Sequence, residues 1–510
     1  MCGIVAIVRR RTERMQPSAA DLLSRLDDIV NRFPTPGDDD TADALSSCSE
    51  AIASVDVELR GEAGLGAMIG QPELVPGLEG RLAQLSDHIE RLEAHLDAEG
   101  DSVRDLEAVN AAMVELKDAV WAIERDRLRA AAEVVTLAGP DVAGARLAAM
   151  FSVQQALSNI DRLEVRGRDS AGIHIAVRNH ELDLDAPAVA ELMAERVNNK
   201  LFVDQSVVAS NGVLGFVYKA AAEIGELGDN TASMRAAIAA DELLRAALEA
   251  DTVEATVLAH TRWASVGIIS EPNAHPVNSI EVGERSTGPY VTAVLNGDVD
   301  NFSDLIAAGS LSFPAEITTD AKVIPSMISR SLLEAGPQVD AALDEAVRST
   351  VATFEGSVAI GVSTAVAPAD LHLALRGSGQ GVFVGLAEDA FVVASEPYGV
   401  VEDSDLYLRM DGETPADPQN PTASQGQIIR LSAAAAGDRA GVSRWSYDGS
   451  ELPIGSDEWK QPSVTTRDID RGDAPHFLLK EISESPTSFR KTLRGRLVEI
   501  DEASSAGALT

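Results

Sequence analysis

The chain has 510 residues, with 42 Lys and Arg against 81 Asp and Glu, a formal net charge of −39. A surface this acidic repels phosphate backbones and anionic lipid headgroups, which argues against nucleic-acid and membrane partners. Two cysteines, Cys2 and Cys48, are too few for a disulfide framework or a zinc site, and no apolar run approaches the ~18 residues that span a bilayer, so the expected setting is the reducing cytoplasm.

The chain opens MCGIVAIV, a β-branched run that reads as a buried strand. The apolar run Ile4 to Val8 precedes Arg9, Arg10 and Arg11, the reverse of a signal peptide. Cys2 has two readings on position alone. It is a small core residue of that strand, or it becomes residue one after Met removal. In the second case thiol (pKa ~8.5) and α-amine (~7.7–8.0) sit on one residue, and the amine can take the thiol proton.

Residues 12–150 are rich in Ala, Leu, Glu and Asp with helical periodicity. Leu78, Leu82, Leu85, Ile89, Leu92 and Leu96 form one heptad seam, and Leu106, Val109, Met113, Leu116, Val120 and Ile123 a second. AEGD at 98–101 separates them, with Gly100 as a helix stop, so the pair is expected to form an antiparallel hairpin.

Short strand-like runs follow: GIHIAV (172–177), VEATVLAH (253–260), YVTAVLNG (290–297), SVAIGVST (357–364), LHLALRG (371–377), GVFVGLA (381–387) and AFVVASE (390–396). Helical patterns at 231–249 and 320–335 lie between them, so a layered α and β fold is expected. Residues 411–426 read as a turn-rich loop and 446–475 as a polar linker. HFLLKEISESPTSFRKTLRGRL reads as an extended entry into a helix, the start of a further domain.

MCGIVAIV, RGRDSAG (166–172), AHTRWASVG (259–267), NAHPV (273–277), LNGDVDN (295–301) and TTDAKV (318–323) occur in this order. Together they resemble the class II glutamine amidotransferases, of the N-terminal-nucleophile hydrolases, and most nearly the glutaminase domain of glucosamine-6-phosphate synthase. The likeness covers residues 1–8 and about 151–435, and resumes at 476–497.

The resemblance implies an α+β fold, a four-layer αββα sandwich, here with an inserted α-helical hairpin. It implies a glutaminase domain at 1–8 and 151–435, a helical insertion at 9–150 with its hairpin at about 74–130, a linker at 436–475, and the start of a sugar-phosphate isomerase module at 476–510. Cys2 would attack the carboxamide of L-glutamine and form a thioester. Asn296 and the backbone N–H of Gly297 match the oxyanion hole. Arg262 matches the grip on the substrate α-carboxylate, Asp320 the partner of its α-ammonium, and Ser265 stands where the family has Thr. Trp263 matches the aromatic that shields the site and gates the ammonia passage, a plain core Trp being the alternative. The rival for Asp320 is a helix N-cap. Arg166, Asp169 and Ser170 would brace the adjacent strand, and His260 and His275 would be structural.

Val266 and Leu295 replace histidines beside the implied glutamine pocket, and Arg168 replaces a tyrosine. The implied ammonia acceptor is fructose 6-phosphate, bound by a downstream or separate isomerase domain and giving glucosamine 6-phosphate. No metal or cofactor is implied, and a homo-oligomer is left open. The alternatives are another class II enzyme, of amidophosphoribosyltransferase or asparagine-synthase type, or a catalytically weakened scaffold.

Overall fold

In the computed structural model the N-terminal run forms strand β1 (Gly3–Arg9), and every one of its residues is buried. The structure describes residues 2–35, 40–99, 105–196, 201–221, 226–282, 288–336, 339–415, 425–472 and 474–493. The remaining strands are β2 (Ser170–Arg178), β3 (Ser206–Ser210), β4 (Val213–Ala220), β5 (Glu254–Arg262), β6 (Val277–Asn278), β7 (Val291–Gly297), β8 (Val358–Thr364), β9 (Asp370–Arg376), β10 (Phe383–Ala387), β11 (Ala390–Ala394), β12 (Ser404–Arg409), β13 (Gln427–Ser432), β14 (Val442–Trp445) and β15 (Trp459–Lys460).

Among the described residues they form two sheets, ordered β15-β12-β10-β11-β1-β5-β2-β4-β3 and β14-β13-β9-β8-β7-β6. β1 is central in the first, antiparallel to β11 on one side and β5 on the other. A strand buried on both faces needs a continuous apolar run, which GIVAIV supplies.

The period-2 alternation divides each strand between two cores. Ile4, Ala6 and Val8 of β1 join Val384, Val393, Val294, Leu373 and Ile429 in one buried cluster, so the two sheets share it. The opposite parity in β7, Ala293 and Leu295, packs in a second cluster with Ile324, Ile328 and Val347.

The helices are α1 (Ala19–Arg32), α2 (Thr41–Leu59), α3 (Gly61–Gly70), α4 (Leu74–Glu99), α5 (Leu106–Trp121), a π-helical stretch Ala122–Arg127, α6 (Leu128–Ala138), α7 (Gly144–Leu163), α8 (Pro187–Met193), α9 (Asp229–Ala240), α10 (Glu242–Ala247), α11 (Phe302–Gly309), α12 (Val323–Ala335), α13 (Val339–Ala352), α14 (Thr466–Ile469) and α15 (Phe477–Leu493). α7 packs along β1 and β5. Arg9 reaches out of β1 to Ser152 Oγ and Gln155 Oε1 of α7, which explains polar residues on a buried helix face.

The chain divides into two compact units. One comprises residues 1–13 and 132–464 and holds both sheets; the other comprises 14–131 and 465–510. In the second unit both heptad seams are buried apart from Leu106. Their partners differ from a simple hairpin: α5 lies chiefly along α2, and α4 along α1. A periodic seam reports that a helix has a partner, not which one. The Gly100 turn lies outside the described residues. A buried carboxylate, Asp56, accepts from Arg60 Nε and Arg127 Nε, both at 2.8 Å.

Three boundaries differ from the sequence reading. The sheet-bearing unit takes in α7 from Gly144, before residue 151. Residues 436–475 include β14 and β15, which pair with β13 and β12; strands of four and two residues are too short to show a period. The HFLLKEIS entry is helical from Phe477, with Pro486 inside the helix. Residues 494–510 and 416–424, within the segments read as isomerase start and loop, lie outside the described residues. No helix among the described residues is long and apolar enough to cross a membrane.

Candidate active site

Register brings the motifs together. Gly3 pairs with Thr261, so Cys2 lies beside the end of β5, where Arg262 leads into Trp263. The half-buried Cys2 thiol rests on the Trp263 backbone: Trp263 N–H donates to Sγ at 3.2 Å, and Sγ donates to Trp263 O at 3.4 Å. Burial pushes the thiol pKa up; the Trp263 N–H and the Arg262 charge pull it down, and Asp298 raises it further.

Asn296 and Gly297 come to the same place from β7, in the other sheet. Asn296 Nδ2 donates to Cys2 O at 3.0 Å and to Ser395 Oγ at 2.7 Å. Ser395 Oγ also accepts from Ile4 N–H at 2.7 Å, tying β1 to the amide. On the other side His260 Nε2 lies 3.0 Å from Asn296 Oδ1. Gly297 has φ +91°, and a Cβ there would stand 1.9 Å from Ser357 O, so only glycine fits.

Arg262 is 3% exposed, and its guanidinium donates to the carbonyls of Val266 and Ile268. Burial lowers its pKa, opposed by Cys2, Asp320 and Asp169. Asp169 Oδ2 accepts from Ala264 N–H at 2.8 Å, and Asp169 N–H donates to Arg262 O at 3.1 Å, which holds the loop. Arg166 pairs with Glu396. Ser170 is buried opposite Arg262 in the β2–β5 register.

Asp320 is buried and its Oδ2 accepts from Val299 N–H at 2.7 Å, across from the loop after Gly297. It is not the N-cap of the following turn; Thr319 holds that position. Burial raises the Asp320 pKa, as does Asp298. His260 and His275 lie beneath, ring centroids 4.5 Å apart. Burial drives both far below the ordinary histidine range, His260 to about 3, so both are neutral.

No protein-family model matches the chain. It is 26% identical over 345 residues to a glutamine–fructose-6-phosphate aminotransferase (isomerizing) of Bacillus cereus, covering 66% of this chain and 42% of that protein. The Pseudomonas putida protein of that name is 25% identical over 342 residues, covering 67% and 42%. The chain is similar in sequence to these glutamine–fructose-6-phosphate aminotransferases. The match spans less than half the length of these curated relatives. Among solved structures, a glutamine phosphoribosylpyrophosphate amidotransferase from B. subtilis, complexed with ADP and GMP, matches at 16% identity with a TM-score of 0.34, over 58% of this chain and 47% of that one.

Against the amidotransferase pattern, Cys2, Arg262, Trp263, Ser265, Asn296, Gly297 and Asp320 converge at one end of β1, β5 and β7. Trp263 is 59% exposed, which removes the core-Trp alternative. The Leu295 side chain belongs to the buried cluster with Ile324 and Ile360. Its backbone N–H donates to His275 Nδ1. The structure adds two residues the sequence reading passed over, Ser395 and Asp298. Ser395 has no local signal, because its partners are Ile4 and Asn296 on other strands. Asp298 lay in view within LNGDVDN, directly after the oxyanion pair.

Proposed function

We propose that residues 1–8 and 151–435 carry a glutaminase domain of four-layer αββα type, with the helical segment 9–150 inserted into it. The reading extends to glutamine as substrate and fructose 6-phosphate as the ammonia acceptor, bound on an isomerase module downstream or on a separate chain.

Removal of Met1 would give Cys2 a free α-amine. That amine takes the thiol proton, and the thiolate attacks the side-chain carboxamide carbon of glutamine. The negative charge gathers on the carboxamide oxygen, where Gly297 N–H can donate to it, and Asn296 Nδ2 joins by exchanging one of its present acceptors, Cys2 O, for the oxyanion. The intermediate collapses, the C–N bond breaks, and the proton held by the amine leaves with nitrogen as ammonia. Water then attacks the thioester carbon, releasing glutamate and returning the thiol. Arg262 holds the substrate carboxylate and Asp320 its ammonium; Trp263 covers the mouth. Ser265 supports the charged end.

The observation that carries this reading is the Cys2 thiol seated on the Trp263 backbone with Asn296 Nδ2 on the Cys2 carbonyl. The test is ammonia release from L-glutamine by the full chain and by Cys2→Ala, with the N-terminal residue read by mass. Activity in wild type alone, on a chain that begins at Cys2, supports the proposal. Equal release by both proteins would end it.

A further inference from the structure

Ser395 follows β11 directly and is 2% exposed. It is bound twice to Ile4 of β1: Ile4 N–H donates to Ser395 Oγ at 2.7 Å, and Ser395 N–H donates to Ile4 O at 3.1 Å. Asn296 Nδ2 donates to the same Oγ at 2.7 Å. A backbone N–H and an amide NH2 can only donate, so the hydroxyl oxygen accepts from both. Nδ2 carries two hydrogens, and the other is donated to Cys2 O at 3.0 Å. At rest, neither hydrogen of the proposed oxyanion donor is free.

The two acceptors are not equivalent. The bond to Ser395 is buried, whereas the bond to Cys2 O is part-buried and lies on a half-buried residue. An acceptor within reach of water is given up at less cost than a buried one. We propose that Ser395 is a positioning residue for the oxyanion step. It keeps one Asn296 hydrogen throughout, and the amide pivots about that bond to turn its other hydrogen from Cys2 O to the oxygen of the tetrahedral intermediate. The same Oγ takes the N–H of Ile4, two residues after Cys2. Nucleophile and oxyanion donor come from different sheets, on β1 and β7, and this one atom sets the position of both. Such a donor is useful only if it is already in place when the charge develops.

The inference rests on the glutaminase reading, and the experiment separates the two. Ammonia release from L-glutamine is measured for wild type, Ser395→Ala and Ser395→Thr, with inhibition by two probes. One is the γ-aldehyde of L-glutamate: its carbonyl carbon bonds to Cys2 Sγ and its oxygen takes the thiol proton, so that oxygen stands where the oxyanion forms. The other is L-norvaline, the same amino acid chain without the carboxamide. In Ser395→Ala kcat is expected to fall roughly 10- to 100-fold with KM within about threefold. Affinity for the aldehyde falls by the factor lost from kcat/KM, and inhibition by L-norvaline stays within about threefold. Ser395→Thr, which keeps the oxygen, recovers most of both losses. If Ser395→Ala does not fold, Ser395→Cys, whose sulfur is only a weak acceptor, is read by the same ratio of aldehyde to norvaline affinity. An unchanged kcat, or an equal weakening of both probes, overturns the inference, while an active wild type leaves the glutaminase reading standing. If wild type takes the aldehyde yet releases no ammonia, the glutaminase reading falls and the probe ratio alone decides the role of Ser395. A wild type that does neither ends both.

Discussion

His260 Nε2 lies 3.0 Å from Asn296 Oδ1 and 2.9 Å from Leu295 O, two groups that can only accept. The ring must therefore carry its hydrogen on Nε2 and donate to both. This fixes which way the Asn296 amide faces and leaves Nδ2 toward Cys2. Because burial holds His260 neutral, with a pKa of about 3, the hydrogen stays on Nε2 across the physiological range. His260→Phe is expected to lower kcat by up to about 100-fold with KM within about threefold, the lower end of the roughly 100- to 1,000-fold cost of removing one oxyanion donor outright. His260→Gln, which can still donate, should recover most of that loss. The wild-type rate profile should show no ionisation near pH 6.5; one that vanished in His260→Phe would mean the ring titrates during turnover.

Much of this site is readable because it is made of short contiguous runs. MCGIVAIV begins a strand and AHTRWASVG and LNGDVDN each end one, and a strand terminus is where a side chain leaves the sheet. The spatial convergence was not readable: Ser395 is far from Asn296 in sequence and meets it only through the β1–β11 pairing. The helical segment shows the same limit. Its heptads marked the buried faces of α4 and α5, yet the α1–α4 and α2–α5 pairings depend on helices whose partners no period encodes. The resemblance puts Leu295 beside the implied glutamine pocket, whereas strand parity turns its side chain into the buried cluster with Ile324 and Ile360.

Gly3 limits how Cys2 can be presented. A Cβ on Gly3 would stand 2.7 Å from Thr261 Oγ1 and 2.9 Å from Leu163 Cβ, closer than packed atoms sit. Gly3→Ala should shift the start of β1 away from β5 and α7. Misplacement of about 1 Å is expected to cost about 100-fold in ammonia release. The stability loss should stay within about 1–3 kcal/mol in urea unfolding, as for other overpacked sites. Full activity in Gly3→Ala would show that the strand end yields without moving the nucleophile.

Arg262 is held in a planar fork by two loop carbonyls. A lysine there keeps the charge but not the fork. Arg262→Lys is expected to raise KM for L-glutamine by about 10- to 100-fold, the equivalent of roughly 1.5–3 kcal/mol for a charge-assisted contact. kcat should change less than KM, because the carboxylate lies away from the carboxamide that reacts. Steady-state ammonia release checks the split, and a loss confined to kcat would place Arg262 at the reacting end.

Lys322 offers a stability test beside the site. Its ammonium is wholly buried and donates to Asn278 O at 2.5 Å, Asn278 Oδ1 at 3.0 Å and Ile280 O at 2.7 Å. Lys322→Met would strand these acceptors, a loss of about 2–4 kcal/mol in urea unfolding at neutral pH. Burial lowers the folded pKa to about 7, against ~10.4 for an unfolded lysine. Between those values the unfolded chain binds more protons, so this residue's contribution to stability rises with pH from about 7 to about 10 and is flat below and above. Wild-type stability measured against Lys322→Met at pH 7, 8.5 and 9.5 should therefore diverge in favour of wild type. Parallel curves would mean that the three acceptors keep the buried ammonium charged at its ordinary pKa, and the burial cost is met by those hydrogen bonds.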